Sequence, residues 1–306
     1  MNERSILVVA HAGRDDTVAA ARRVVEALRS AGARPVLAGD DRAELSAVDP
    51  GFADVDVLGD TIPVDDLELA IVLGGDGTIL RAAELVRDSG APVLGINMGH
   101  VGFLAEIERD DMDDAVRRVI ERDYAVEERL ALAVRVKDVA GDVVYETWAL
   151  NEATVEKASR ERMIEVVVEI DGRPLTSYGC DGMVVSTPTG STAYNFSAGG
   201  PVIWPGVEAI AVVPLSAHAL FAKPLVVSPH ASVAIEMLER TSGTGILWCD
   251  GRRSHELPPG ARVVVRRSSR PVRLARLHPA PFTDRLVRKF RLPVAGWRGN
   301  GTEATA

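Results

Sequence analysis

Residues 69–86, LAIVLGGDGTILRAAELV, decide how the first part of the chain folds. The apolar run Leu69–Leu73 predicts a buried strand, and residues 79–86, rich in helix formers, predict a helix. Between them lies the turn Gly74-Gly75-Asp76-Gly77-Thr78, whose glycines let the backbone bend sharply and approach a ligand closely. The following helix directs its free amides and the positive end of its dipole at this turn, which therefore suits phosphate.

The same alternation of strand and helix continues on both sides of this stretch. Helical spacing of apolar residues predicts helices from about Asp15 to Gly32 and from Asp113 to Ile120. The acidic stretch from about Gly39 to Asp66 is weakly patterned, so we expect a poorly constrained connection there. Residues 1–125 are thus predicted to form an α/β, Rossmann-like domain with a parallel sheet, and the remaining strands are expected at Ile6–Val9, Pro35–Leu37 and Val93–Ile96.

Beyond about Tyr124 the apolar period becomes two. Leu132, Val134 and Val136 alternate with their neighbours, as in strands that bury one face. This pattern predicts a β-rich, β-sandwich-like domain over residues 126–283. The basic tail, residues 284–306, is predicted to return to the acidic first domain, with a solvated tail as the alternative.

Composition and missing motifs exclude several classes of function. Lys and Arg number 35 against 44 Asp and Glu, a net charge of −9 that argues against a nucleic-acid partner. No run of about 18 apolar residues exists, so we expect no membrane span. Two cysteines cannot form a disulfide framework, which favours a cytoplasmic location. No Gly-Lys pair of a Walker A motif occurs, and the six histidines lack metal-site spacing, so we assign no metal-ligating residue.

A carboxylate inside the glycine-rich turn needs a reason, because Asp76 repels phosphate unless a divalent cation or a transferable proton intervenes. Three roles are open: general base toward an attacking hydroxyl, metal-associated group, or N-cap of the following helix. The position directly behind a buried strand favours a functional role over the cap. Lysine occurs at only four positions, so phosphates must be held by backbone amides, arginine and metal. Arg81, one helical turn on, either reaches a phosphate or is solvated.

A second group of polar residues lies in the predicted β-rich domain. Thr187–Tyr194, TPTGSTAY, follows the predicted strand Met183–Val185, with Asp181 before it and Asn195 and Ser197 after it. Its hydroxyls, small residues and one aromatic ring suit a sugar and a base. Asn151-Glu152, at the end of an apolar run, can clamp ribose hydroxyls or an adenine edge. The triplet Cys-Asp-Gly occurs twice, at Cys180 and Cys249, which is within chance.

Four motifs together resemble the bacterial NAD kinase family over nearly the whole chain. They are Gly74–Thr78, Asn97-x-Gly99-x-x-Gly102-Phe103-Leu104, Asn151-Glu152 and Thr187–Tyr194. The first also occurs in diacylglycerol-type lipid kinases and in phosphofructokinases, whereas the last two are specific.

The resemblance implies transfer of the ATP γ-phosphoryl group to the 2′-hydroxyl of the NAD adenosine ribose, giving NADP, with Mg²⁺ or another divalent cation. Polyphosphate is the alternative donor. Asp76 is implied as the catalytic proton acceptor, and a cytoplasmic homodimer or homotetramer is implied by analogy. The residues implied to bind ATP or NAD are Gly74, Gly75, Gly77, Thr78, Arg81, Phe103, Asn151, Glu152, Arg162, Asp181, Thr189, Thr192, Ala193, Tyr194, Asn195, Ser197 and Arg252.

Two other functions remain as alternatives. A diacylglycerol-type lipid kinase shares the first motif, but Thr187–Tyr194 and Asn151-Glu152 suit a polar dinucleotide better than a lipid. A non-catalytic NADP-binding sensor would bind dinucleotide without turnover, and the intact turn around Asp76 argues against it.

Overall fold

The computed structural model describes residues 4–99, 102–105, 107–159, 162–241, 243–278 and 281–294. These residues form two compact units: the first runs up to residue 127 and resumes at 273, and the second covers 128–272. Among the described residues, no helix is long and apolar enough to cross a membrane. Residues 295–306 of the predicted tail lie outside the described part of the chain.

The first unit is built on an eight-stranded sheet. Its strands are β1 Ser5–Ala10, β2 Arg34–Leu37, β3 Asp56–Val57, β4 Leu67–Leu73, β5 Val93–Asn97, β6 Ile107–Glu108, β7 Ala125–Arg129 and, in final chain position, β20 Val272–Arg276. They pair in the order β3-β2-β1-β4-β5-β20-β7, with β6 also paired to β5. The first five strands are parallel, and their order is that of a Rossmann sheet. The predicted α/β class is therefore confirmed.

Helix α1 shows how a helix with an apolar stripe covers this sheet. Helix α1 begins at two aspartates, which complement the positive end of its dipole, and buries Val24, Val25 and Leu28 in the core beside β1 and β4. The sheet strands themselves are buried along nearly their whole length, as expected for a sheet covered on both faces. The helices of this unit are α1 Asp15–Ser30, α2 Gly39–Val48, α3 Asp76–Leu85, α4 Met112–Glu121 and α6 Phe282–Phe290.

The stretch from Gly39 to Asp66 is more ordered than the sequence predicts. It contains α2, a 3₁₀ turn at Pro50–Phe52, β3 and a second 3₁₀ turn at Val64–Asp66. Helix α2 was missed because it buries little besides Asp41 and Leu45, which leaves no apolar stripe to detect. Tertiary packing fixes this segment, since Leu45 and Phe52 are fully buried in the core.

The glycine-rich turn leaves the sheet where its strand order reverses. The last residues of β1 and β4, Ala10 and Leu73, are paired, and the chain order changes direction between these two strands. In open parallel sheets, ligands bind at the carboxyl ends of the strands at this switch point. The amide of Gly74 donates a hydrogen bond to the carbonyl of Ile96 at 3.0 Å, which fixes the turn beside β5.

The second unit consists of two six-stranded antiparallel sheets, with side chains of both in one core. One sheet has the order β15-β14-β13-β10-β17-β18 and the other β12-β11-β16-β19-β8-β9. The predicted β-rich class is confirmed. The elements are β8 Leu132–Lys137, β9 Val143–Ala149, β10 Glu152–Lys157, β11 Ile164–Ile170, β12 Arg173–Cys180, β13 Gly182–Ser186, the short helix α5 Tyr194–Ser197, β14 Ile210–Leu215, β15 Leu225–Val227, β16 Val233–Met237, β17 Gly245–Cys249, β18 Arg253–Leu257 and β19 Arg262–Arg267.

The chain re-enters the first unit earlier than residue 283. Strand β20 pairs in parallel with β5 through Leu274 and Val93, so the division falls near residue 272. Helix α6 follows, and its Arg285 donates a hydrogen bond to the carbonyl of Phe103 at 2.8 Å. The described part of the tail thus contacts the first unit.

Glycine at position 95 allows β5 and α3 to pack closely. A Cβ atom there would overlap the Ile79 side chain and lie 3.0 Å from the Cα of Ala105. We expect Gly95→Ala to lower the free energy of unfolding by about 1–3 kcal/mol, as overpacking does, measured by urea denaturation. Gly13→Ala is the control, because a Cβ there meets nothing within 4 Å. Equal stability of the two variants would contradict this packing.

Candidate active site

Helix α3 begins at Asp76, and the two glycines before it, Gly74 and Gly75, follow the end of β4 at Leu73. The preceding residue, Gly75, has an extended backbone and offers no side chain to cap the helix. Its carbonyl accepts hydrogen bonds from the amides of Thr78 and Ile79 at 3.0 and 3.1 Å, so the helix is formed from its first turn. The amides of Asp76 and Gly77 come before the first of these hydrogen bonds and are available to an anion.

The Asp76 carboxylate is held by a loop distant in sequence. One oxygen accepts the amide of Phe103 at 2.9 Å and the other accepts that of Leu104 at 3.0 Å. Gly102 leaves room for this contact, because a Cβ there would lie 2.8 Å from Cγ of Asp76. The hydrogen bonds described for Asp76 therefore run to residues 103 and 104 and do not cap its own helix, which disfavours the N-cap role.

Two other predicted residues of the first unit have protein partners. Arg81 forms an ion pair with Asp41, which is almost fully buried. Burial raises the pKa of Asp41, while the adjacent guanidinium of Arg81 acts in the opposite direction. The half-buried ring of Phe103 packs on Phe282 and Phe290 of α6, with ring centroids 6.1 and 5.7 Å away. Phe103 therefore packs on α6, and the phosphate role of Arg81 and the dinucleotide role of Phe103 stay predictions.

In the second unit the structure brings together two predicted groups of site residues, Asn151-Glu152 and Thr187–Tyr194. Strands β10 and β13 are neighbours, so Asn151 and Thr187 lie next to each other at one sheet end. The amide of Thr187 donates to the carbonyl of Asn151 at 2.9 Å, and its hydroxyl donates to the carbonyl of Leu150 at 2.6 Å. Gly190 packs on the same backbone, since a Cβ there would lie 2.6 Å from the Cα of Asn151.

Buried polar side chains hold the TPTGSTAY segment in shape. The Ser191 hydroxyl donates to the carbonyl of Pro188 at 2.7 Å and accepts the amide of Ile203 at 2.9 Å. The Asn195 side-chain amide donates to the carbonyls of Ser191 and Pro201 at 3.1 and 3.0 Å. The structure therefore gives Asn195, which is fully buried, a supporting place in the loop.

The remaining predicted residues of this segment differ in exposure. Thr189 is buried, and Thr192 and Ala193 are half-buried. Tyr194 and Ser197 are exposed on α5, which leaves the tyrosine ring open to a ligand. Such an arrangement offers hydroxyls and one aromatic face side by side, as a nucleoside requires.

Charged residues around this segment have distinct environments. Lys157 contacts Asp181 at 2.5 Å, and its hydrogen bond holds the pKa of Asp181 below the usual value. Burial and, after it, the charge of nearby Asp250 together raise the pKa of Glu152 to about 8, against the effect of a hydrogen bond from the Tyr194 amide. Arg162 and Arg252 are exposed, the first ahead of β11 and the second ahead of β18.

Three residues outside the predicted set contact predicted ones. Asp41 pairs with Arg81, Asp250 accepts the amides of Asn151 and Glu152, and Gly102 makes room for Asp76. Gly102 belongs to a motif quoted above, so it was within reach of the sequence. The buried Asp41 gave no sequence signal.

Among the residues that the structure describes, no group of three or more His, Cys, Asp and Glu side chains is placed to hold a metal ion. Mg²⁺ commonly binds through one or two carboxylates together with substrate phosphates and water. A site with few protein ligands is thus compatible with the residues present, and Asp76 is the carboxylate in the glycine-rich turn.

Comparison with known proteins agrees with this arrangement. Residues 6–124 match the family described as "ATP-NAD kinase N-terminal domain", and residues 150–277 match "ATP-NAD kinase C-terminal domain". An NAD kinase of Leifsonia xyli is 66% identical over 297 residues, covering 97% of each chain.

Two solved structures are also similar. An NAD kinase from Archaeoglobus fulgidus in complex with ATP has a TM-score of 0.68 and 25% identity, over 94% of this chain and 98% of that one. Yeast NADH kinase complexed with NADH has a TM-score of 0.82 and 20% identity, over 99% of this chain and 90% of that one, and supports the fold alone. With both domain families matched in order and a relative two-thirds identical along its length, the chain belongs to the NAD kinase family.

Proposed function

We propose that Asp76 is the proton acceptor of this NAD kinase, which transfers the γ-phosphoryl group of ATP to the 2′-hydroxyl of the adenosine ribose of NAD. The observation that carries the proposal is the position of the Asp76 carboxylate, fixed in the phosphate-binding turn by the amides of Phe103 and Leu104. Each carboxylate oxygen has a second lone pair, so it can still accept a proton from a hydroxyl.

Proton transfer and positioning supply different parts of the rate. The acceptor is a secondary alcohol that is hardly ionised at neutral pH, and a positioned general base accelerates such reactions by roughly 10² to 10⁴. Phosphoryl transfer otherwise depends on in-line placement and charge neutralisation. The free amides at the start of α3 fit the second task, because they point at the turn that precedes Asp76.

We propose Mg²⁺, or another divalent cation, as the partner of the donor phosphates. When bound, it neutralises charge on the phosphate oxygens. The scarcity of lysine, at four positions in the chain, is the feature that supports a metal and backbone amides over lysine side chains. Gly74, Gly75, Gly77 and Thr78 bind phosphate in this scheme, with Arg81 beside them.

The dinucleotide is assigned to the second unit. Asn151 and Glu152 lie against the TPTGSTAY segment, where the exposed Tyr194 ring can stack on a base and the Thr192 hydroxyl can bind a sugar. Thr189, Ala193, Asn195 and Ser197 complete this segment. Phe103, Asp181, Arg162 and Arg252 are assigned to the same substrate on the resemblance alone.

We also propose a cytoplasmic homo-oligomer. Both cysteines are buried and free, as fits a reducing compartment. Large apolar side chains are exposed in the second unit at Trp204, Val207, Leu220 and Phe221, and surfaces of this kind suit contact between copies.

Replacing Asp76 by Asn tests the proposed base. We expect Asp76→Asn to lower kcat by about 10² or more while the KM for NAD changes little, because only the proton acceptor is lost. The measurement is steady-state NADP formation from ATP and NAD. A loss of about 1–3 kcal/mol in stability is also expected, since the new NH₂ group faces an amide donor.

The control for this variant is Asp113→Asn, an exposed helix position paired with Arg23. It should retain wild-type kcat. Unchanged turnover in a folded Asp76→Asn protein would remove Asp76 from the chemistry and leave it the task of holding the loop at residues 103 and 104.

Replacing Thr192 by Val tests the dinucleotide segment. Within the described part of the chain, the hydrogen bond that the Thr192 hydroxyl makes is a long one, 3.4 Å to the carbonyl of Thr189, so the fold should tolerate valine. We expect the KM for NAD to rise more than kcat falls, because a ground-state contact to the sugar is lost. Thr176→Val, half-buried on β12, is the control and should change neither constant. A collapse of kcat at constant KM would assign Thr192 to the reacting centre instead.

A further inference from the structure

The turn that carries Asn151 and Glu152 is fastened by Asp250, a residue outside the set predicted from the family motifs. Its carboxylate accepts the backbone amides of Leu150 at 2.9 Å, Asn151 at 2.7 Å and Glu152 at 3.3 Å. Its own amide donates to the carbonyl of Glu152 at 3.0 Å. One side chain therefore orders three consecutive residues at the start of β10.

The backbone at Asp250 shows how closely this contact is built. Asp250 lies in the turn between β17 and β18 with a φ of 54°, a left-handed conformation that Asp and Asn tolerate better than most residues. Its residue surface is only 7% exposed. A buried carboxylate in such a turn is costly unless each of its oxygens has partners, and here both oxygens accept backbone amides.

Arg253 supplies the opposite charge. Its guanidinium donates to Asp250 at 2.9 Å and lies over the ring of Trp148, 4.5 Å from the ring centroid. Trp148 precedes the turn on β9, so the arginine is itself held by the strand that leads into Asn151. Removal of the Asp250 carboxylate therefore takes a counter-charge from this arginine and the acceptor of three amides from the turn.

The same turn places the Glu152 side chain against the TPTGSTAY segment. A backbone hydrogen bond from Tyr194 reaches the Glu152 carboxyl group. Its Oε2 atom is buried and has no hydrogen-bond partner among the described residues. The whole residue is only 7% exposed. A buried oxygen left in this state is ready for a ligand hydroxyl.

We propose that Asp250 is a positioning residue for the dinucleotide site: by collecting the amides of Leu150, Asn151 and Glu152, it sets where Asn151 and Glu152 present their side chains to NAD. This inference rests on the proposed role of those two residues in binding NAD. Asp250 acts through the turn and makes no contact with substrate in this scheme.

The charge of Asp250 has a second, measurable effect. Glu152 is faced by Asp250, by Cys249 on β17 and by Tyr194 on α5. Asp250 is in turn faced by Arg253 on β18, and Tyr194 by Glu156 on β10. Burial and Asp250 both raise the pKa of Glu152, which reaches about 8. Glu152 is therefore protonated below that pH and ionised above it, and NAD binding is expected to change between these ranges. With a neutral residue at position 250 the pKa of Glu152 falls, so the change moves to lower pH.

Asp250→Asn tests both effects. An asparagine can accept only through its oxygen, and its NH₂ group must face either the amides of the turn or Arg253. We expect the Kd and the KM for NAD to rise at least about tenfold, with a smaller change in kcat. The inflection in a plot of NAD affinity against pH, near 8 in the wild-type protein, should move to lower pH. Isothermal titration of NAD without ATP gives the affinity, and steady-state kinetics give KM and kcat.

Three further variants complete the experiment. Glu169→Gln, which breaks a partly buried pair with Arg262 on the other sheet of the same unit, controls for general destabilisation and should leave the Kd and the inflection unchanged. Glu152→Gln should abolish the inflection. If Asp250→Asn is recovered unfolded, Asp250→Asn combined with Arg253→Met removes the buried pair together and leaves no unpaired charge. The same shift in affinity is then expected.

The outcomes separate this inference from the proposed function. Wild-type Kd and an unmoved inflection in a folded Asp250 variant overturn the positioning role, even if Asp76→Asn confirms the proton acceptor. An equal fall in affinity in Glu169→Gln overturns it as well, because the effect would then follow from stability. If Glu152→Gln keeps both the wild-type affinity for NAD and the wild-type inflection, the assignment of Glu152 to the dinucleotide fails, and the positioning role fails with it.

Discussion

The two hydrogen bonds from the amides of Phe103 and Leu104 to the Asp76 carboxylate connect the main features of the first unit. They join the start of α3 to the loop that follows β5, at the sheet edge where the strand order reverses. The charge of a carboxylate at this point repels phosphate. Neither a tight turn nor a helix cap requires such a charge here, so Asp76 needs another explanation. Because its hydrogen bonds lead away from its own helix, Asp76 is better explained by chemistry on a hydroxyl than by helix capping.

The second unit repeats this device with a different carboxylate. Asp250 collects the amides of residues 150–152, as Asp76 collects those of 103 and 104. In both cases a side chain far away in sequence replaces secondary structure in fixing a polar loop. Gly102 makes the approach of Asp76 possible, and Gly190 lets the TPTGSTAY segment pack on the backbone of Asn151. Loops held in this way are rigid before a ligand arrives, which reduces the entropy lost on binding.

The sequence predicts the two architectures because both depend on local periodicity. The apolar run of β4 and the period-two pattern of β8 match buried and half-buried strands directly. Helix α2 was missed, since its burial depends on packing by Leu45 rather than on an apolar stripe. The role of Asp250 was missed for a related reason: the triplet Cys249-Asp250-Gly251 was attributed to chance, and only the pairing of β17 with β10 brings it to Asn151. Motifs identified Asp76 and Thr187–Tyr194, but their partners across the sheets are tertiary and leave no sequence signal.

The raised pKa of Glu152 has a cost in stability that a neutral side chain at this position would avoid. Its folded-state pKa is raised to about 8, above its ordinary value near 4.5, so between these values the folded protein holds a proton that the unfolded chain has lost. The contribution of Glu152 to the free energy of unfolding is therefore most favourable at acidic pH. It falls as the pH rises through this range, and the loss is complete above about pH 8. Glutamine would fill the same space without this loss. Strongly shifted acids of this kind cluster at functional sites. The Oε2 atom of Glu152, buried and without a partner among the residues that the structure describes, favours a ligand over a structural explanation.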